Sequence, residues 1–365
     1  MHDEARNSKV KRSRTLLMGL CGALAIACAG TSIAMVHATS MEAAGMFAGH
    51  KVRVPAQAKA QLNAQPWWSG FEDPAMSRLM AASQGRADSG VAAACIALKV
   101  KTLELVYLEN TRDAVQRQSS LLRGSAPPRD DFAKQLDVRK AAASASIEKL
   151  RAQRASYIGY LATQCHMSEA AMNALLADAL QDKSLPRFAA EVPRELPMSV
   201  LSNRTDIHLA AALYGVDATP DADAWPAGAI DASGEAQAID MPGSPLYAQA
   251  VAQARDQVAA ALQRLQMHSD IAQAAYARVV SARAGFEQSK ARRDRAEISE
   301  VQLMEDFQGL LLDLHVLAAA NGELALAWVV FMGSIGNGTP IDAVADSSAT
   351  PMPFLHKVSR KLRNP

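Results

Sequence analysis

The chain is 365 residues long, enough for one elongated domain or two compact ones. Hydrophobic residues make up 49% of it but aromatics only 5%, so its apolar mass is chiefly alanine and leucine, which favours closely approaching helices over a β-rich core. With 38 basic and 37 acidic residues the net charge is +1, a balance that gives no support for a nucleic-acid partner.

Lys9, Lys11, Arg12 and Arg14 precede an uncharged apolar run from Leu16 to Val36. A positive segment followed by such a run is the pattern of an export signal, and the run is also long enough to stay as a membrane anchor. Val36-His37-Ala38 offers a cleavage pattern after Ala38. Ala25-Ile26-Ala27-Cys28 is close to a lipidation box, with its leucine one position early at Leu24. Cleavage, lipidation at Cys28 and retention stay open, and each exports the body of the protein. Two cysteines, Cys95 and Cys165, lie beyond this segment, far apart and without metal-ligand spacing; an exported pair could form a disulfide, but separately buried thiols are the expectation. His208, His268 and His315 each sit on a helical stretch with no partner pattern. No nucleophile motif, phosphate loop or cofactor fingerprint occurs, so the sequence does not look like that of an enzyme and implies no cofactor.

Residues 39–66, polar and alanine-rich with two prolines, are expected to form an extended lead. Asp73-Pro74 has the signature of a helix start, and the helix is expected to continue with little interruption to about Leu122. After a break at Arg123-Gly124 to Pro128, a long helix is predicted over 130–165 and a short one over 168–181. A proline-punctuated connection, Leu185–Pro197, leads to LSNRTDIHLAAALYGVDA, a helix that opens on Arg204 and Asp206 around a threonine. Breaker residues make 217–247 a loop. The longest helical region follows, 247–332, interrupted near Arg295-Ala296, and a tail over 339–365 ends basic and is expected to be disordered.

Leu303, Phe307, Leu310, Leu314, Leu317, Asn321, Leu324, Trp328 and Phe331 alternate steps of four and three, a heptad seam. A weaker seam runs through Leu136, Lys140, Ala143, Ile147, Leu150, Arg154, Tyr157 and Leu161. The plan of long helix, broken tip and long helix occurs twice, at 102–165 and at 247–332. The expected fold is mainly α: long antiparallel coiled-coil hairpins in two tandem repeats, 67–200 and 201–338, with little or no β-barrel.

In order along the chain, these pieces resemble the TolC/NodT-like outer-membrane efflux proteins. Val54-Pro55-Ala56-Gln57, then Trp67-Trp68 with Phe71 and Asp73, are similar to the family's lead into its first long helix. Arg204-Thr205-Asp206-Ile207 resembles the family's Arg-Pro-Asp-Ile signature after a Leu-Pro segment, here Leu196-Pro197, with threonine in place of proline. A glycine at each tip, followed by acidic residues opening a helix, is echoed by Gly124 with Asp130 and Asp131, and by Ala296, standing for glycine, with Glu300 and Glu305. Gly333-Ser334-Ile335-Gly336 resembles the glycine-rich close.

The resemblance implies a homotrimer in the outer membrane or periplasm. It would supply a helical tunnel to a tripartite efflux or type I secretion system, docking through its tips to a periplasmic adaptor that serves an inner-membrane pump. It also implies that Arg204, Asp206 and Ile207 fix the start of the second repeat. One departure stands out. Spanning strands need roughly 9–11 residues of alternating character. At Val100–Thr102, where the first pair belongs, helix runs into helix, and 217–247 is rich in Asp, Pro, Gly and Ala. The alternative is a barrel-less, non-channel coiled-coil envelope scaffold or a degenerate paralogue, with an inner-membrane anchor and a periplasmic body as the alternative location.

Overall fold

The computed structural model describes residues 66–83, 88–123, 130–181, 188, 190–214, 216, 225, 228–233 and 245–337. The expected leader, most of the extended lead, Gly124, most of the 217–247 loop and the tail from 339 lie outside them. A 3-10 turn, Trp67–Phe71, precedes α1 (Pro74–Ala82), α2 (Asp88–Arg123), α3 (Asp130–Gln164) and α4 (Glu169–Gln181). Then come β1 (Glu195–Pro197), a 3-10 turn (Met198–Asn203), α5 (Thr205–Tyr214), β2 (Ala229–Asp231), α6 (Pro245–Asp294) and α7 (Glu300–Ser334).

The protein is mainly α, as composition and periodicity predict. The helix beginning at Pro74 is shorter than expected. It closes at Ser83, whose hydroxyl donates to the Met80 carbonyl at 3.0 Å and so satisfies part of the helix end, and α2 starts afresh at Asp88. From there α2 is one helix through Val100–Thr102, as the sequence indicated. Within the 217–247 loop, Ala229–Asp231 is a strand, paired antiparallel with β1 so that Leu196 faces Ile230 and both are buried. Each strand has three residues, far short of a bilayer span.

The described residues fall into two compact units, each drawing helix from both halves of the chain. In the first (Lys101–Arg154 and Ala275–Ala318), Leu105 and Leu108 of α2 meet Ile147 and Leu150 of α3 in a buried cluster. Phe286 and Phe307 pack with ring centroids 4.9 Å apart. Two buried amides cross this core: Gln308 donates to the Gln118 side-chain oxygen at 2.9 Å, and Gln118 donates to the Val301 carbonyl at 3.1 Å.

The second unit contains the described residues up to Val100, those in 155–274, and those from Ala319 on. Trp67 stacks edge-on with Phe71, Phe71 meets Phe188, and Phe188 meets Trp328, with centroids 6.4, 6.1 and 5.1 Å apart. Asp73 caps α1 by accepting from Ala75 N at 2.9 Å and also pairs with Lys99 of α2 at 2.5 Å. At Gly322 a Cβ would lie 2.6 Å from Val100, so only glycine permits this approach of α7 to α2. Cys95 and Cys165 are free and buried, and burial, reinforced by Asp73, pushes the Cys95 thiol up to about 12.

Burial follows both predicted seams. On α7 every position from Phe307 to Phe331 is buried and only Leu303, near the start, is partly open. On α3 the charged interruptions Lys140 and Arg154 are the half-open positions and the other six are buried.

Among the described residues, three helices end on a left-handed turn in the same way. After α3, α6 and α7 the chain turns left-handed at His166, Ala296 and Gly336, with φ of 52°, 58° and 82°. In each case the next amide reaches back five residues: Met167 to Ala162, Glu297 to Arg292, and Asn337 to Met332, all at 2.9 Å. This is the Schellman closure, which glycine serves best because a Cβ is crowded there. Ala296→Gly is therefore expected to stabilise the protein by about 1 kcal/mol, the relief of that crowding less glycine's larger backbone entropy loss. Urea unfolding checks this, and an unchanged or lower midpoint would contradict it.

Candidate functional site

Two clusters hold the residues singled out in the sequence. The first is the corner where α5 begins. Asp206 lies in its first turn and accepts the Ile207 amide at 3.0 Å, while Ile207 is buried. Arg204, just before the helix, has extended backbone, which turns its side chain back along the same corner. Its guanidinium forks onto Asp206, Nε to Oδ1 at 3.0 Å and Nη2 to Oδ2 at 2.7 Å. Nη2 also donates to Gln257 of α6 at 2.6 Å, and Nη1 donates to the Ser334 carbonyl at 2.7 Å. That carbonyl belongs to the last turn of α7, where a helix leaves its acceptors unfilled and favours a cation.

One arginine thus joins α5, α6 and α7. Gly336 completes the joint: a Cβ there would lie 2.5 Å from the Asn203 carbonyl oxygen and 3.0 Å from Arg204 Cα. The Arg204 hydrogen bonds hold the Asp206 carboxyl below its ordinary range, against the opposing effect of partial burial.

The second cluster surrounds the α6–α7 turn in the first unit. Ser299 caps α7, its hydroxyl accepting the Gln302 amide at 3.1 Å. Glu300, the first residue of α7, pairs with Arg117 of α2 and with Arg293 of α6, the latter at 3.1 Å. Burial pushes the Glu300 carboxyl up, but hydrogen bonds from the two arginines outweigh it and the net direction is down. Arg295 and Glu297 form an exposed pair at 2.6 Å beside Ala296. Glu305, a turn further along α7, is half-buried. Asp131, in the first turn of α3, is nearly fully exposed, 3.6 Å from Lys134. Gly124 and the side chain of Asp130 lie outside the described residues, although Asp130 begins α3.

Sequence reasoning picked out Arg204, Asp206, Ala296 and Glu300. It missed Gln257, Arg117, Arg293 and the Gln118–Gln308 pair, which lie on other helices and carry no local signature. It also missed the Ser299-x-x-Gln302 cap, whose signal is a capping pattern before an apolar run.

The fold and these two clusters define a helical-hairpin protein held at its chain corners by charge-assisted bonds. No protein-family model and no curated protein matches the chain. Among solved structures it is similar to the outer-membrane channel OprN, at 18% identity over 75% of this chain and 71% of that one, with a TM-score of 0.49. It is also similar to CusC, studied for conformational changes that accompany folding and transmembrane channel formation, at 16% identity over 83% and 91%, TM-score 0.47. The outer membrane protein VceC of Vibrio cholerae is similar at 14% identity over 72% and 73%, TM-score 0.41.

Arg204→Ala is expected to cost about 2–3 kcal/mol in urea unfolding, since it strips a helix-end carbonyl and a carboxylate of a shared charged donor. Lysine, which cannot fork, restores only part of this. Because folding lowers the Asp206 pKa, the unfolded chain binds more protons in the acid range. The stability advantage over Asp206→Asn is therefore full above the ordinary carboxylate pKa and lost as pH falls through the lower folded-state value. An advantage that grew on acidification would contradict the assignment.

Proposed function

We propose that the protein is a divergent outer-membrane or periplasmic component of a tripartite efflux or secretion system. In this reading it assembles as a trimer whose helices line a conduit and whose tips meet a periplasmic adaptor. One observation carries the reading: segments that resemble the family at distant points of the sequence meet in space. The Arg204–Ile207 signature touches the Gly333–Gly336 close through Arg204, Ser334 and Gly336. The Trp67–Phe71 lead-in touches the same end of α7 through Trp328, whose indole N–H lies 3.5 Å from the Trp67 carbonyl.

The α6–α7 turn is the docking tip in this proposal. Ala296 and Arg295–Glu297 supply its exposed surface, while Arg117 and Arg293 hold Glu300, the start of α7, in place. The Glu300 charge is neutralised by its partners, so this residue stiffens the tip. Glu305 and the Gly124–Asp131 turn are the remaining proposed docking elements. The substrate would be whatever the partner pump delivers, since the conduit itself performs no chemistry.

A second reading, an exported scaffold without a pore, is favoured by α2 being one helix through Val100–Thr102, where the conduit family places a strand pair. The two are separable. Under the first, the mature protein is expected to fractionate with the outer membrane and to crosslink as trimers, with photocrosslinks from position 296 reaching an adaptor. A soluble or inner-membrane monomer would overturn it. In a planar bilayer the purified chain alone is expected to give no channel steps, and robust single-channel conductance would refute the claim that spanning strands are missing.

A further inference from the structure

In the first unit, α2 is polar and buried at every seventh position: Glu104, Thr111 and Gln118 share one stripe. Helix α7 answers with Gln308, bonded to Gln118, and seven residues later with His315. Lys101 and Glu104, further back along α2, act electrostatically on His315, so the two helices run antiparallel. One heptad back from Gln118 and one on from Gln308 therefore bring His315 level with Thr111.

His315 is half-buried, and its Nδ1 is enclosed without a hydrogen-bond partner among the described residues. The charges around it are matched among themselves. On α2 the Lys101 ammonium donates to both oxygens of Glu104, at 2.9 and 2.7 Å. Tyr107 of α2 is buried and pushed up to about 12, so it stays neutral. On the α6 side Arg278 pairs with Asp313 of α7 at 2.5 Å. A neutral imidazole suits this place with its proton on Nε2, but an imidazolium carries N–H on both nitrogens. Protonation would set an unmet donor and an added charge in the seam, and both are costly away from water. Burial holds the imidazole below its ordinary value; Glu104 opposes this and Lys101 adds to it.

We propose that His315 is an acid-sensitive release of the seam between α2 and α7 in the first unit: the seam houses the neutral ring, and acidification parts the two helices locally so that the charged ring can reach water. The opened state binds more protons than the closed one in this range, so the closed seam is at full strength above the ordinary imidazole value. It weakens as pH falls toward the lower folded-state value. The release is internal to the unit, and the proposal stands whether or not the protein is a conduit component.

The test is hydrogen–deuterium exchange of the full chain between about pH 8 and about pH 5, expressed as protection factors so that the pH dependence of intrinsic exchange is removed. Peptides covering 104–118 and 308–318 are expected to lose protection by about tenfold per pH unit below the ordinary imidazole value, the linkage of one proton. His315→Gln, which cannot charge, is expected to flatten that profile. Lys101→Met leaves Glu104 free to receive the imidazolium and is expected to weaken the dependence. A flat profile in the natural chain, a dependence that survives in His315→Gln, protection that rises on acidification, or a Lys101→Met slope equal to that of the natural chain would each overturn the proposal.

Discussion

The fold of the second unit depends on how a single guanidinium is shared. Arg204 spends its donors on a carboxylate two residues away, an amide oxygen on α6 and a carbonyl at the end of α7. A side chain with three rotatable donors on one nitrogen could not hold these three directions at once, because the planar fork fixes the angles between them. Gly336 is the complement: the carbonyl can come within reach because no side chain keeps the backbones apart. The arginine that looks out of place at the head of an alanine-rich helix belongs, structurally, to the foot of another helix 130 positions later.

Within each unit the packing is made largely of alanine and leucine, which are effective at burial and poor at discrimination. Small side chains let helices approach, as Gly322 does against Val100, but many alignments of such faces bury similar area. Distinction comes from the exceptions: Trp328 among its aromatic neighbours, Asp73 serving both a helix cap and Lys99, and Glu300 between two arginines. These few polar and aromatic contacts do more to single out one arrangement than the larger apolar area does.

Much of this was legible in the sequence. The seam from Phe307 to Phe331 is a property of spacing, and spacing survives folding intact. Asp73-Pro74 and the turn at Ala296 are local codes and were read correctly as a helix start and a helix break. The pairing of Ala229–Asp231 with Glu195–Pro197 was not legible, because three residues are too few to show alternation and the partner lies over thirty residues away. The early close of α1 at Ser83 escaped for a different reason: a hydroxyl folding onto a carbonyl three residues back leaves no periodic trace. At the α6–α7 turn, Glu300 was identified but its ion-pair partners were not, since both arginines come from other helices.

The buried amide bridge between Gln118 and Gln308 has a consequence for the long helices that carry it. Two alanine-and-leucine helix faces bury similar area in more than one alignment, so burial alone gives them no zero point. An amide pair that finds its mate at only one offset supplies that zero, because any slip strands two desolvated groups. The helices are thus indexed and not merely glued, and a chain could change much of its apolar face while keeping the same alignment, provided those two glutamines stayed opposite each other.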